Sequence, residues 1–176
     1  FAKSIGVGLT LDNSGTWETL DDGTRLWRLR LSSPGALTIN IGLEIFDLPE
    51  GAVFWGQAPD GSGVQGPYTR QDQNADGGLW TAVVLGNELV AELHVPTNAT
   101  ARLEIASVNH GYRFFRERNS LDRIKRGTCN INVVCQEGDP WRDEIRSVAR
   151  ITILGMFLCT AQMVNNTSQD LTPYLL

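Results

Sequence analysis

No run of about 18 apolar residues occurs anywhere in the 176-residue chain, so no helical membrane span is encoded. Cysteine is missing from the first 128 residues, and the three that follow, Cys129, Cys135 and Cys159, cannot all pair with one another. A cysteine-rich zinc site wants four ligands, so either one thiol is spare or the partners lie elsewhere. Histidine is limited to His94 and His110. His94 alternates with Leu93 and Val95, which puts it on the solvated face of a strand, and His110 stands beside Gly111, which suggests a turn. A Ser-His-Asp triad or a metal site needs a histidine with partners in reach, and neither context supplies them. No catalytic residue, metal ligand or cofactor-binding residue is therefore expected. No signal-peptide pattern stands at Phe1, which leaves a cytosolic protein or one whose leader has been removed.

Hydrophobic residues make up 41% of the chain and charged ones 20%, a balance that can bury a core. The net charge of -5 is uneven: residues 1 to 112 carry 6 basic and 13 acidic side chains, residues 113 to 176 carry 9 and 7. The basic excess lies in 113 to 126, where Arg113, Arg116, Arg118, Arg123, Lys125 and Arg126 face only Glu117 and Asp122. The acidic body argues against nucleic acid as a partner.

The first hundred residues alternate with period two. In "RLWRLRL", Trp27, Leu29 and Leu31 share one face and Arg28 and Arg30 the other; in "ALTINIGLEIF", Leu37, Ile39, Ile41, Leu43 and Ile45 alternate with Thr38, Asn40, Gly42 and Glu44. Such alternation predicts strands with one buried face. "SSPGA", "DLPEGA" and "APDGSGVQGP" supply turns, "LWTAVVL" and "ELVAELHV" flank "GNE", and "RLEIASV" closes the set. With no convincing helix, six or seven short strands predict an antiparallel, jelly-roll-like β-sandwich over residues 1 to 112.

Residues 113 to 126 have no clean period and read as a linker or arm, with room for a helical turn in "RNSLDRIK". From 127 onward "CNINVVC" and "SVARITI" resume strand-like alternation, and the rest predicts two strands around a polar turn at Asn165 to Asp170. A segment of about 50 residues has no independent core and needs disulfides, metals or partners to hold together.

Three lesser patterns have ordinary readings. "DQNADG" begins like a calcium loop with Asp72, Asn74 and Asp76, but Val83 stands where an EF-hand needs glutamate, so a polar turn is expected. Acceptor patterns at Asn98, Asn165 and Asn166 mark exposed loops. The five tryptophans could form a sugar-stacking face, but Trp27, in phase with Leu29 and Leu31, is expected in the core. The late cysteines after a basic arm point to a mature secreted domain following a processed region, which makes the dibasic pair a cleavage site.

These residues carry a resemblance. "GTCNINVVCQEGDPWRDEIRSVARITILGMFLCTAQMVNNTSQDLTPYLL" resembles the opening of the mature catalytic domain of bacterial lysyl endopeptidase-like, trypsin-fold serine proteases. "GTRLWRLRLSSPGA", "LWTAVVLGNELVAEL" and "SVNHGYR" are similar to the propeptide of that family. The resemblance implies a β-sandwich propeptide at 1–112, a basic linker at 113–126 whose processing site is Lys125, Arg126 and Gly127, and at 127–176 the first strands of a trypsin-like β-barrel. It implies that Cys129, Cys135 and Cys159 each form a disulfide with a cysteine beyond Leu176. In such proteins a Thr-Ala-x-His-Cys run with the catalytic histidine is expected after "PYLL", so none of the triad maps onto these residues and the piece is inactive alone. Cleavage after Arg126 exposes Gly127 rather than the apolar amino terminus freed in animal trypsins, so activation is expected to come from release of a blocked or unfinished site. The expected protein is a secreted serine endopeptidase precursor acting after basic residues. Its partners are the remainder of its own catalytic domain and protein or peptide substrates, with no cofactor. The alternative is a non-catalytic secreted β-sandwich binding or structural protein that self-associates through exposed strands.

Overall fold

The computed structural model describes residues 1–113, 135–168, 170, 172 and 174–176. Two compact units emerge, Phe1–Phe114 with Leu154–Phe157, and Phe115–Ile153 with Leu158–Leu176.

The first unit is built from strands β1 (Ala2–Thr10), β2 (Thr16–Thr19), β3 (Arg25–Ser32), β4 (Thr38–Asp47), β5 (Val53–Gln57), β6 (Gln65–Tyr68), β7 (Leu79–Trp80), β8 (Val84–Leu85), β9 (Glu88–Val95) and β10 (Arg102–Gly111). One sheet runs β1-β10-β4-β7 with β8 also on β4; the other runs β2-β3-β9-β5-β6. Every pairing is antiparallel.

The period-two reading holds best in β9, where Leu89, Ala91, Leu93 and Val95 are fully buried and the residues between them are half-buried. These side chains meet Ile39, Ile41, Leu43, Leu103, Ile105 and Phe46 of the other sheet in one hydrophobic core. Each fully buried Leu, Ile or Val contributes about 1.5–3 kcal/mol of transfer free energy, which is what holds the layers together. Trp27 is completely buried, as its phase with Leu29 predicts, and its indole Nε1–H donates to the Ser14 carbonyl at 2.8 Å. That bond satisfies the one polar atom the core would otherwise strand.

Three expectations are corrected. β4 does not bury a single face: Thr38 through Leu43 are all buried, whereas Leu37 is 40% exposed just outside the strand. "LWTAVVL" is not one strand but two short ones on β4, β7 opposite Gly42 and Leu43, β8 opposite Thr38 and Ile39. Between them the Thr81 side chain takes over the ladder, its Oγ1 accepting from the Ile41 N–H at 3.1 Å while the Thr81 N–H donates to the Ile41 carbonyl. "APDGSGVQGP" is not turn throughout, because Gln65–Tyr68 pairs with β5 as an edge strand. A single 3-10 turn, Arg70–Asp72, is capped reciprocally by Thr69 and Asp72.

The second unit contains a 3-10 turn at Gln136–Trp141, helix α1 (Arg142–Ser147), and strands β11 (Val148–Ile153), β12 (Phe157–Val164) and β13 (Tyr174–Leu175), of which Phe157 belongs to the first unit. The three strands form one sheet in that order, with the predicted polar turn between β12 and β13. The helical stretch 136–147 falls between the two predicted strand runs, where the sequence predicts no element. Asp143 and Glu144 sit in its first turn and Arg146 in its last, complementing the helix dipole, and Arg146 pairs with Asp143 one turn away. Of the described hydrophobic residues in this unit only Ala161 is buried, while Val148, Ile153, Met163, Tyr174 and Leu175 stand 45% or more exposed. Its described residues form no core of their own. The architecture is all-β and antiparallel, and no closed barrel occurs among the described residues.

Candidate functional site

Lys125, Arg126, Gly127 and Cys129, with the "RNSLDRIK" turn and most of "CNINVVC", lie outside the described residues. Cys135 and Cys159 are described, and both are exposed free thiols. Cys135 precedes the 3-10 turn at Gln136, and Cys159 sits in β12.

The histidines do not build a catalytic group. His94 lies on the outer face of β9 with its ring edge-to-face on Trp55, centroids 4.8 Å apart, in a shallow recess of about 250 Å³ lined also by Gln57, Val64 and Glu92. His110 is not in a turn: it is a β10 ladder residue opposite Ile39 and Lys3. Its Nδ1 is 2.8 Å from the Ser33 hydroxyl, which pins the β3–β4 turn to β10. A Ser-His contact works as a nucleophile and base only when a third group orients the ring, and no carboxylate bonds to His110 among the described residues. Nor do three or more His, Cys, Asp or Glu cluster closely enough among those residues to hold a metal ion.

"DQNADG" folds as a polar turn. Asn74 Oδ1 accepts from the N–H groups of Asp76 and Gly78, and the Gln73 amide donates to the carbonyls of Phe46 and Gly77. Asn74 Oδ1 and the Asp72 carboxylate, two of the oxygens a cation would need, already accept from protein donors. Nor do the tryptophans form one exposed face: Trp27 is buried, its cross-strand partner Trp17 is covered by the Arg25 guanidinium at 4.3 Å, Trp80 packs on Gly42 in the first sheet, Trp55 belongs to the second, and Trp141 to the other unit.

The outer faces of the two sheets differ in chemistry. On the second sheet Arg28 is ion-paired with Glu92 and Arg30 with Glu88, a solvated polar face of the expected kind. Several aspartates cap turns nearby: the Thr24 N–H and hydroxyl hold the Asp22 carboxyl below its usual range, and Ser62 does the same for Asp60. Burial pushes the Tyr68 hydroxyl up while it accepts from the Ala82 N–H.

On the first sheet one end of the outer face carries short residues, bounded by Trp80 over Gly42. Cross-strand pairs Ser107 with Gly42, Asn109 with Asn40, and Gly111 with Thr38 share that face, and β1 adds Gly6, Ser4 and Ala2 opposite the same β10 residues. Thr38, Asn40 and Asn109 are buried there to 1% exposure or less. The Asn40 amide donates to the Thr81 carbonyl at 3.5 Å, but Thr38 Oγ1 and both asparagine Oδ1 atoms have no partner. The cover is the turn Leu154–Phe157, part of the same unit. Asn109 Nδ2–H donates to the Leu154 carbonyl at 3.3 Å, and Gly155 lies flat on the two amides. Sequence reasoning assigned Asn40 to a solvated face and did not single out Asn109. The available signal was an asparagine centred in an otherwise strand-forming run, "TINIG" and "SVNHG".

Comparison with known families divides the chain at the basic arm. Residues 4–112 match the family described as lysyl endopeptidase N-terminal domain, and residues 125–176 match that described as lysyl endopeptidase, C-terminal domain. No solved structure matches the chain.

Proposed function

We propose, because the chain belongs to the lysyl endopeptidase family, that it is part of a secreted serine endopeptidase precursor that cuts proteins after basic residues, lysine foremost. Residues 1–112 are the propeptide, 113–126 the processed arm, and 127–176 the opening of the peptidase domain. The observation that carries this reading is the order of the two family matches, the first ending at 112 and the second beginning at 125, within the last two residues of the arm. The exposed apolar residues of β11 to β13 support it, since a sheet without a core is what the first strands of a larger domain look like.

In the proposed reaction a serine hydroxyl, relieved of its proton by a histidine, attacks the carbonyl after the basic residue, and the amine leaves with that proton. Water then releases the acyl group, and an oxyanion hole stabilises both tetrahedral intermediates. No residue of 1–176 is assigned to that machinery. The sandwich serves as intramolecular chaperone and inhibitor, the basic arm occupies the site as a substrate mimic, and cleavage after Arg126 releases it. Cys129, Cys135 and Cys159 pair with cysteines farther along the precursor.

The test is maturation of the secreted precursor. Amino-terminal sequencing of the product is expected to begin at Gly127, a serine-directed phosphonate to label it, and lysyl peptides to be cut ahead of arginyl and neutral ones. Intact mass before and after reduction reads the disulfides. A precursor that is never cut, takes no phosphonate and keeps its thiols free refutes the reading and favours a non-catalytic binding protein that associates through its exposed strands.

A further inference from the structure

We infer that the short-residue outer face of the first sheet is a binding site for one segment of this chain, the tight turn Leu154–Phe157, which it holds in a conformation that the turn's own sequence disfavours. This rests on the precursor reading and adds to it that four residues of the peptidase segment are held within the sandwich unit.

The turn itself gives the first reason. Leu154 has φ of 51° and Gly155 φ of 63°, so both central residues of the β11–β12 hairpin are left-handed. Such turns favour Asn-Gly or Gly-Gly, and a leucine at the first position depletes the conformation by about tenfold or more. A left-handed leucine persists only where its surroundings over-determine it.

The floor gives the second. A face open to water carries long polar side chains, as Arg28 and Arg30 do on the other sheet, whereas here the outward positions at one end of three adjacent strands, from Ala2 to Gly6, Thr38 to Gly42 and Ser107 to Gly111, are Gly, Ala, Ser, Thr or Asn. Backbone can approach such a floor as no side chain could. At Gly155 an added Cβ would run into Asn40 Nδ2 and lie 2.5 Å from Asn109 Nδ2, so the site accepts a glycine and nothing larger. The Asn109 amide then reads the Leu154 carbonyl directly.

The third reason is the buried polar atoms. Asparagine in a strand is already unfavourable, and burying Asn40, Asn109 and Thr38 with oxygens unpartnered adds desolvation without return unless the face has a binding task. Together these features describe recognition of a glycine turn by its backbone. The sandwich supplies in the folded precursor the stability that Leu154 withholds from the isolated hairpin.

Hydrogen exchange of the precursor tests this. Asn109→Ala, which leaves the turn sequence intact, is expected to speed exchange of the amides of Ile153–Leu158 by about fivefold to tenfold, the worth of one hydrogen bond, and Gly155→Ala, which leaves the sandwich intact, by more, because it adds the cost of a left-handed alanine. The amides of Glu88–Val95 keep their protection. Adding Leu154→Asn to Asn109→Ala is expected to restore part of the loss, because asparagine tolerates the left-handed region. Unchanged exchange at 153–158 in Asn109→Ala overturns the inference, as does a double variant with no recovery. If Asn109→Ala unfolds the sandwich and exposes Glu88–Val95 too, Asn109→Ser, which keeps a short polar residue there but withdraws the amide from the Leu154 carbonyl, decides in its place. Exchange is read without catalysis, so a precursor that never matures to a peptidase counts against the protease reading and leaves this result standing.

Discussion

The contact between Trp27 and the β1–β2 turn provides a double-mutant cycle whose magnitudes follow from distances. Gly15 has φ of 71°, and a Cβ there would lie 2.5 Å from Trp27 Nε1, 2.7 Å from Cε2 and 2.6 Å from the Arg28 carbonyl. Gly15→Ala therefore incurs the left-handed penalty of about 1–2 kcal/mol. It also pushes the turn off the indole, losing the Trp27–Ser14 bond for about a further 1 kcal/mol. Trp27→Phe removes the same donor and part of the buried ring, for about 1–2 kcal/mol in all. In the Phe background the alanine no longer meets Nε1 or Cε2 and has no bond left to break, so only the backbone and Arg28 clashes remain. The double variant is accordingly expected to be less destabilised than the sum by about 1 kcal/mol, within the range for residues in contact. Urea unfolding of the four proteins, followed by far-UV circular dichroism, reads the coupling as midpoint shifts; with slopes of about 1–3 kcal/mol/M, single variants move by roughly 0.5–2 M. Strict additivity within error would mean that the alanine does not reach the indole, and would refute the packing argument.

Three further outcomes are expected. Replacing Lys125 and Arg126 with alanine should stop or displace processing at Gly127, read by amino-terminal sequencing, and unchanged processing would remove the arm from the proposed mechanism. Asp22, Asp60 and Asp170 all have carboxyls held below the usual value of 3.8 by turn hydrogen bonds, the first led by the Thr24 N–H and the others by the hydroxyls of Ser62 and Thr172. Because their folded-state values are depressed, their stabilisation is complete above 3.8 and lost as pH falls through the lower folded values, so Asp60→Asn should narrow its gap from wild type only in acid; a gap that closes near neutral pH would contradict this. Glu92→Gln breaks the pair with half-exposed Arg28 and should cost under about 1 kcal/mol, less at high salt, while a larger loss would mean that Glu92 does more than pair on the surface.

Most of the sandwich was legible because its strands obey a rule that acts within one strand at a time. In "ELVAELHV" and "RLWRLRL" the apolar set goes inward and the charged set stays wet, so period two locates both faces. The rule fails where pairing between distant strands decides. Thr81, sixteen residues beyond the start of β6, interrupts "LWTAVVL" only because it meets Ile41, and His110 becomes a strand residue only because β4 and β1 flank it. The helical stretch 136–147 was hidden for another reason: it is only six helical residues led by a 3-10 turn that contains Gly138 and Pro140, too short to show a helical period.

The outer face of β4 shows where the polar-means-solvated inference breaks down. Period two puts Thr38, Asn40 and Gly42 on one side and Arg28 and Arg30 on the corresponding side of β3, and treats them alike. Their lengths are what differ. Arginine carries its head beyond the backbone into water and so holds a face open, while Gly, Thr and Asn leave the strand within reach of another backbone. A single short polar position says little, since turns and edges abound in them. The informative pattern is nine short residues on neighbouring strands, and it exists only once β1, β10 and β4 are laid side by side, although β10 lies more than fifty residues beyond β4 in sequence. Size on the outward face, read after pairing is known, distinguishes a face that meets water from one that meets a chain.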